Sequence, residues 1–419
     1  MSRQEEAQVS PRSIPPLEPE VTLPADDGLP GLLQLFDSHW VWQTFCEHFG
    51  HPEEFPQRII GLQFSYRPGM RALVSYAAEW QRERWVVDDQ FAIEQIAGRP
   101  NRVFRYPDDP YLPGLRLAGD AASAHELLAK YVAASPHRIR VEAVRYRPAT
   151  RAVLRHIAIW RQARLGSLTC FVRVMPPRRV DRLVAAAELA ESSGFKIPPL
   201  LGVWAGGGVV WMPAVPGETV RDLIRRGAAP GPQALLDALS RLWSLRLEPE
   251  RGHPLDLQGG FEMTERLLSH LLETEEARSL LSNVTDALRS FAQTWQPSAV
   301  AHNDFYDDQM LVTPDGQLAL VDFEEIGPGD PLLDVANMSA HLRWMARFGN
   351  APEAYDSYRR NLRSAALAHF GCDGRALDLR EAYAIFRLSA GPVRQLRRNW
   401  AKKTTEGLAL ASQVLQETH

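Results

Sequence analysis

Two parts of the chain repeat one alternation of apolar and polar positions. RIIGLQFSY (58–66) with RALVSYAAEW (71–80), and RIRVEAVRY (138–146) with RAVLRHIAIW (151–160), each read as two paired strands. An Arg-Pro step joins each pair, where proline removes a ladder donor and fixes φ, marking a tight connection. The match is in register. YRPGMRALVSYAAEW (66–80) and YRPATRAVLRHIAIW (146–160) share Tyr, Arg, Pro, a second Arg, two Ala and Trp. Upstream, DDGLPGL (26–32) resembles DDPYLPGL (108–115), and helical stretches, SHWVWQTFCEHF and SAHELLAKYVA, precede the strands. The pattern predicts a duplicated hairpin module, with copies about 80 residues apart.

The second copy continues into more structure. LTCFVRVM (168–175) reads as a third strand and 178–193 as a helix. Gly206, Gly207 and Gly208 then separate two apolar runs as a hairpin turn. From about 232 the period is helical, broken only at 298–326 by a short strand, loop and strand. The expected boundaries are a structureless 1–25, rich in Pro, Glu and Ser; a duplicated hairpin module, 26–107; a β-rich lobe, 108–213; and a helical lobe, 214–419.

Composition narrows the possibilities. With 419 residues, 45% hydrophobic and 23% charged, the chain suits a multidomain globular protein. A net charge of −4 gives no basic footprint for nucleic acid. Cys46, Cys170 and Cys372 are few, odd in number and far apart, which argues against a disulfide framework and, without any CxxC pair, against a cysteine zinc site. No apolar run is long enough to span a membrane and the N-terminus lacks an apolar signal core, so a cytoplasmic protein is expected, with neither membrane nor nucleic acid as partner.

The helical break holds the candidate chemistry. It reads VAHNDFYDDQMLV, then LALVDFEEIGPGDPLLDVA. Phosphoryl transfer from a nucleotide requires a carboxylate to orient the acceptor hydroxyl, oxygens for Mg²⁺, a cation for the phosphates and a backbone hinge for the base. Asp304 can be the base, Gln309 and Asp322 can offer hard oxygens, the backbone near Met212 can meet adenine, and the third strand can supply the cation. A calcium loop is a poor match, lacking Gly at its sixth position and Glu at its twelfth. Asp307 and Asp308 read most simply as solvated loop acids, or as acids facing a cationic substrate, and Glu324 and Glu325 share that ambiguity. Trp204, Trp211, Trp295 and Trp344 read as packing residues.

HNDFYDDQ, VDFE and GDPLLD, in this order and spacing, resemble the catalytic segment of the aminoglycoside phosphotransferase and choline kinase-like family; VVWMPAVPGETVRDLI resembles its hinge and the helix that follows. The resemblance implies an α+β, bilobal protein-kinase-like fold, a small antiparallel β lobe plus a larger helical lobe, preceded here by a partial duplication of the β-hairpin unit. It implies an ATP- or GTP-dependent, Mg²⁺-requiring transfer of the γ-phosphate to a small-molecule hydroxyl. Asp304 would be the catalytic Asp, His302 the brace of its loop, Asp322 the principal metal ligand, Gln309 the second, and Asp334 the residue holding the loop through backbone hydrogen bonds. The turn at 146–152 would cover the nucleotide. The sequence departs at Gln309, usually Asn, and at Arg173, which occupies the slot of the phosphate-binding Lys. Arg and Lys are not equivalent there, although Arg can hold phosphate through two donors. Asp181 and Glu188 are candidates for the helix acid pairing with it. These departures keep two other classes open, a nucleotide-binding pseudokinase and a partner-binding protein docking through its duplicated module.

Overall fold

The computed structural model describes residues 14–52, 55–82, 85–160, 166–248 and 254–417. The chain divides into two compact units, one formed by residues up to Tyr106 with Arg394–Arg398, the other by Pro107–Val393 and Asn399 onward.

The first unit is a five-stranded sheet, β1 (Leu17–Glu18), β2 (Arg58–Arg67), β3 (Arg71–Arg82), β4 (Trp85–Ile96) and β5 (Arg102–Arg105), ordered as in sequence, with helix α1 (Ser38–Phe49). Of the N-terminal stretch expected to lack structure, residues 1–13 lie outside the described residues; the rest includes β1, which pairs in parallel with Ile59 and Ile60 of β2. Strands β4 and β5 escape the alternation analysis because Asp88, Asp89 and Gln90 interrupt the period of β4. Pairing with β3 along the strand, from Arg71↔Ile96 to Arg82↔Trp85, overrides that local signal.

The second unit has a β lobe and a helical lobe. Helices α2 (Leu115–Gly119) and α3 (Ala121–Leu127) lead into β6 (Arg138–Arg147), β7 (Arg151–Ile159) and β8 (Ser167–Val174). Helix α4 (Val180–Ser192), β9 (Gly202–Trp204) and β10 (Val209–Pro213) follow, and the sheet order is β6-β7-β8-β10-β9. The link passes through β11 (Glu218–Thr219) to α5 (Val220–Arg225), α6 (Pro232–Trp243), α7 (Leu257–Leu271) and α8 (Glu275–Thr294). Next come the short strands β12 (Ala299–Ala301), β13 (Met310–Val312), β14 (Leu318–Leu320) and β15 (Gly327–Gly329). Helices α9 (Pro331–Phe348), α10 (Pro352–Phe370), α11 (Gly374–Leu388), α12 (Gly391–Arg394) and α13 (Trp400–Gln416) complete the chain. This is a bilobal α+β architecture, a small antiparallel β lobe followed by a larger helical lobe. One apolar core joins its layers: Leu183 and Ala187 of α4, Val210 and Met212 of β10, Leu235 and Leu239 of α6, with Phe305 and Phe323 beneath the site. Burying each such side chain contributes about 1.5–3 kcal/mol.

The repeat in sequence is a repeat in hydrogen bonding. Asp26 accepts from Tyr66 Oη at 2.5 Å, Gly69 N at 2.7 Å and Gly28 N at 2.9 Å. Asp109 accepts from Tyr146 Oη at 3.0 Å, Ala149 N at 2.8 Å and Tyr111 N at 2.8 Å. One carboxylate thus closes each Arg-Pro turn, and the residue after proline is left-handed in both, Gly69 at φ 72° and Ala149 at φ 59°. The copies diverge at the third strand. Leu73 pairs with Glu94, as Val153 pairs with Arg173, so the charge is reversed at the equivalent position. Glu94 is fully buried against Arg71, the counterpart of Arg151, at 2.5 Å. A helix and a strand separate β8 from β10, whereas a five-residue turn joins β4 to β5.

Among the described residues no helix is long and apolar enough to cross a membrane. Cys46 and Cys170 are buried free thiols and Cys372 is half-buried.

Candidate active site

The loop between β12 and β13 carries Asp304, and its shape is set from several sides. Asp334, in the first turn of α9, accepts from His302 N at 2.8 Å, Asn303 N at 2.7 Å and Trp243 Nε1 at 3.0 Å. Burial pushes its carboxyl up to about 7, against those three donors, which favour the ionised form. Asn303 adopts φ 67° and donates to Glu325 O at 3.0 Å. Gly329 must be glycine here, because a Cβ would lie 1.9 Å from Asn303 Oδ1. Asn337 Nδ2 donates to Phe305 O at 2.9 Å. His302 is fully buried, edge-on to Phe305 at 5.6 Å, and neither ring nitrogen has a hydrogen-bond partner. Burial drives its imidazole down to about 4, so it is neutral and its contacts are packing contacts.

Arg221 of α5 is a residue that the motif reading misses. Its Nη2 and Nε grip Asp307 at 2.9 and 3.1 Å, and its Nη1 reaches Asp308 at 3.0 Å. Asp307 is fully buried, which corrects the reading of that residue as a solvated loop acid. The guanidinium also stands 5.7 Å from the ring centre of Tyr306, and that ring stacks on His341 at 4.2 Å.

Asp304, Gln309 and Asp322 line one cavity of about 400 Å³ with Tyr306, His341 and Leu388. Burial pushes Asp304 up to about 6, with Arg387 opposing the shift. Gln309 Nε2 donates to Asp304 Oδ2 at 3.2 Å, leaving Gln309 Oε1 buried without a partner. Asp322 follows β14. Burial raises its pKa, but Arg173 and Arg151 outweigh burial and hold it below the usual carboxylate range. An unsatisfied amide oxygen beside an ionised carboxylate suits a hard cation.

Arg173 lies on β8 and is buried behind Asp322, a residue of the cavity lining. Its Nη2 donates to Asp322 Oδ1 at 3.0 Å and to Val321 O at 2.9 Å, and its Nη1 stands 3.2 Å from Glu324 Oε2. Neither Asp181 nor Glu188, both on the exposed face of α4, is its partner; the acids come from the segment after β14. Glu324 also pairs with Arg151 at 2.6 Å, and Glu325 with Arg179 at 3.6 Å and with Arg182. Glu324 and Glu325 are therefore not solvated acids but the far side of an arginine cluster. The turn over the cavity supplies Arg145, Arg147, Thr150 and Arg151 as lining, side chains where a glycine-rich loop would offer backbone.

Met212 sits opposite Phe171 in the β8–β10 ladder and its side chain is buried in the core. Hydrogen bonds Met175 N to Gly208 O and Ala214 N to Thr169 O bracket this ladder. Alternation then commits the peptide groups of Met212 to β8 and turns those of Trp211 and Pro213 to the other edge. Trp211 O accepts from Leu201 N at 2.9 Å, so the peptide groups of Met212, committed to β8, are not free to meet a base. The tryptophans pack as expected: Trp204 and Trp211 stack on Tyr131, Trp295 Nε1 donates to Asp330 at 3.1 Å, and Trp344 lies against Phe348.

Residues 162–370 match the model of the phosphotransferase enzyme family, APH. Over this stretch the chain is a member of that family. The match runs from before β8 through α10 and contains Arg173, the Asp304 loop, Asp322 and Asp334. Among solved structures, the chain is similar to a choline/ethanolamine kinase family protein from Mesorhizobium loti, 19% identical, with 71% of this chain and 96% of that one covered, at a TM-score of 0.49. It is also similar to the choline kinase LicA from Streptococcus pneumoniae, at 12% identity, 68% and 98% coverage and a TM-score of 0.47. The ADP-bound aminoglycoside phosphotransferase APH(2'')-Ib aligns at 16% identity, 70% and 99% coverage and a TM-score of 0.46. No curated protein sequence matches.

Proposed function

We propose that this protein transfers the γ-phosphate of ATP or GTP to a hydroxyl of a small molecule. The observation that carries the reading is the convergence of Asp304, Gln309 and Asp322 around one cavity, with Arg173 paired to Asp322 behind it, in a chain whose family transfers phosphate. Asp304 receives the acceptor's proton as the acceptor oxygen bonds to the γ-phosphorus and the bond to the leaving nucleoside diphosphate breaks. A carboxyl raised to about 6 stays mostly ionised at neutral pH, yet is more basic than a solvated Asp. Gln309 Oε1 and Asp322 would hold Mg²⁺, which supplies charge neutralisation for the phosphates when bound. Arg173 would present a guanidinium to the phosphates while keeping Asp322 ionised. Arg145 and Arg147 would cover them from the turn above. Asp334, Asn337 and Arg221 hold the loop in place, so little reorganisation remains for the reacting state.

A nucleotide-binding protein without turnover is the second reading. What favours it is the tie between Arg173 and the metal-ligand candidate Asp322. A screen of hydroxyl acceptors (sugars, amino alcohols, aminoglycosides) with labelled ATP, run beside Asp304→Asn, decides between them. Label transfer by the wild type, absent in the variant, supports the enzyme. Mg·ATP binding with no transfer to any acceptor supports the second reading.

A further inference from the structure

One buried carboxylate holds the turn over the cavity. Asp109, in the segment before α2, accepts from Tyr146 Oη at 3.0 Å, Ala149 N at 2.8 Å and Tyr111 N at 2.8 Å. Tyr146 and Ala149 flank the Arg147–Pro148 step. Thr150 N donates to Arg147 O at 3.1 Å, and Arg147 pairs with Arg151 where the turn closes. Ala149 is left-handed at φ 59°, a conformation that a side chain other than glycine keeps only where its surroundings impose it; the bond from its N–H to Asp109 does so. Successive strand side chains alternate in direction. With Tyr146 turned to Asp109, Arg145 and Arg147 face the other way, and both line the cavity.

The bland account is a clamp that only closes a turn. Asp26 closes the turn of the first copy in the same way, and there Arg67, the counterpart of Arg147, is exposed. In the second copy the clamp aims a free cation into the cavity. The acids of the lining have other partners. Asp322 and Glu324 pair with Arg173, Glu324 also with Arg151, Glu325 with Arg179 and Arg182, and Asp304 accepts from Gln309. The half-buried Arg147 guanidinium forms no hydrogen bond or ion pair with a described residue, and its Nε is buried without an acceptor. Burial, then Arg145 and Arg151, lower its pKa to about 10, so it stays a cation at neutral pH. The same cavity holds Asp304, where the acceptor would meet the γ-phosphorus. In the transfer, the acceptor oxygen bonds to that phosphorus, the bond to the bridging oxygen of the nucleoside diphosphate breaks, and Asp304 takes the acceptor's proton. Negative charge stays spread over the three equatorial oxygens, and a guanidinium offers such oxygens two donors in one plane.

We propose that Arg147 is a catalytic residue that binds the equatorial oxygens of the transferring phosphoryl group, and that Asp109 is its positioning residue, acting through the clamped turn. The proposal rests on the phosphotransferase reading for the reaction, but the contact with the terminal phosphate is testable without turnover. Calorimetry measures the affinities of the Mg²⁺ complexes of ATP, ADP, GTP and GDP for wild type, Arg147→Ala, Arg147→Lys, Asp109→Asn and Tyr146→Phe. Thermal unfolding checks each variant, and kcat is read with any acceptor that the wild type uses. Wild type should prefer the triphosphate. Arg147→Ala should weaken triphosphate binding at least about tenfold, the typical weight of a charge-assisted contact, and leave diphosphate binding as it was. Its kcat should fall by about 10²–10³-fold, as when one preorganised donor is removed. Arg147→Lys should keep part of both. Asp109→Asn should move the triphosphate preference and kcat in the direction of Arg147→Ala, and Tyr146→Phe, which removes one donor and keeps the ring, serves if Asp109→Asn does not fold. A wild type without triphosphate preference, or a preference unchanged in Arg147→Ala, overturns the Arg147 assignment. A lower melting temperature in the clamp variants with the preference intact overturns the Asp109 assignment. A preference lost in both Arg147→Ala and the clamp variants, with no transfer by wild type to any acceptor, upholds the clamp and its phosphate contact and counts against the phosphotransferase reading alone.

Discussion

Arg173 Nη2 donates to Asp322 Oδ1 at 3.0 Å, so the candidate phosphate cation and the candidate metal ligand are each other's partner. The pair is well shielded, with side chains 10% and 25% exposed, and Glu324 adds a second carboxylate on the same guanidinium. A lysine would offer one ammonium to this arrangement; the arginine spans both acids.

Arg173→Ala should therefore have two consequences. It leaves Asp322 and Glu324 without their shared cation, which should lower stability by about 3 kcal/mol, the lower end for breaking a buried pair. It should also weaken nucleotide binding about tenfold or more, since one charge-assisted hydrogen bond contributes roughly 1.5–3 kcal/mol. Arg173→Lys should keep binding. Chemical denaturation and calorimetry read the two effects, and nucleotide affinity unchanged in Arg173→Ala would remove Arg173 from the phosphate site.

Asp304 should impose a pH dependence on turnover. Its raised pKa means that kcat should rise with pH through about 6, as the carboxylate forms. Asp304→Asn should lower kcat by about 10²–10⁴-fold. The stability consequence has a definite sign. A folded pKa above the unfolded value of about 3.9 favours the native state at low pH, and that contribution is lost as pH rises through about 6. Asp304→Asn should melt higher than wild type at pH 8, with the gap narrowing toward pH 4.5. A constant gap across that range would contradict the burial argument.

Asp322→Ala should reduce the Mg²⁺ dependence of nucleotide binding and leave Arg173 paired with Glu324 alone. Titrating Mg²⁺ at fixed nucleotide checks this: an unchanged Mg²⁺ midpoint would exclude Asp322 as a ligand, whatever happens to turnover.

Asp334→Ala should destabilise by about 3 kcal/mol or more, because it strands His302 N, Asn303 N and Trp243 Nε1, and each unsatisfied buried donor costs about 1–3 kcal/mol. It should also lower kcat with Asp304 in place, since the loop loses its anchor. Thermal unfolding together with single-turnover rates separates the two effects.

What the sequence determined by itself was local and periodic. The hairpins of both copies, the strand carrying Arg173, the hairpin turn at Gly206–Gly208 and the loop holding Asp304 follow from alternation and turn chemistry within a few residues. The motif spacing brings Asp304, Gln309, Asp322 and Asp334 close along the chain, so their common site could be read from one segment. The tertiary structure decided which charges meet. Arg173 and Asp322 are 149 residues apart, and Arg151 and Glu324 are 173 apart, distances over which no helical or strand period carries information. Arg221 reaches Asp307 from a helix 86 residues upstream, so an acid that reads as solvated becomes a buried structural one. Strand β4 formed against its own broken pattern because β3 offered a full ladder of partners. Burial and long-range pairing shift the carboxyls of Asp304 and Asp322, and both depend on chain segments that sequence proximity does not bring together.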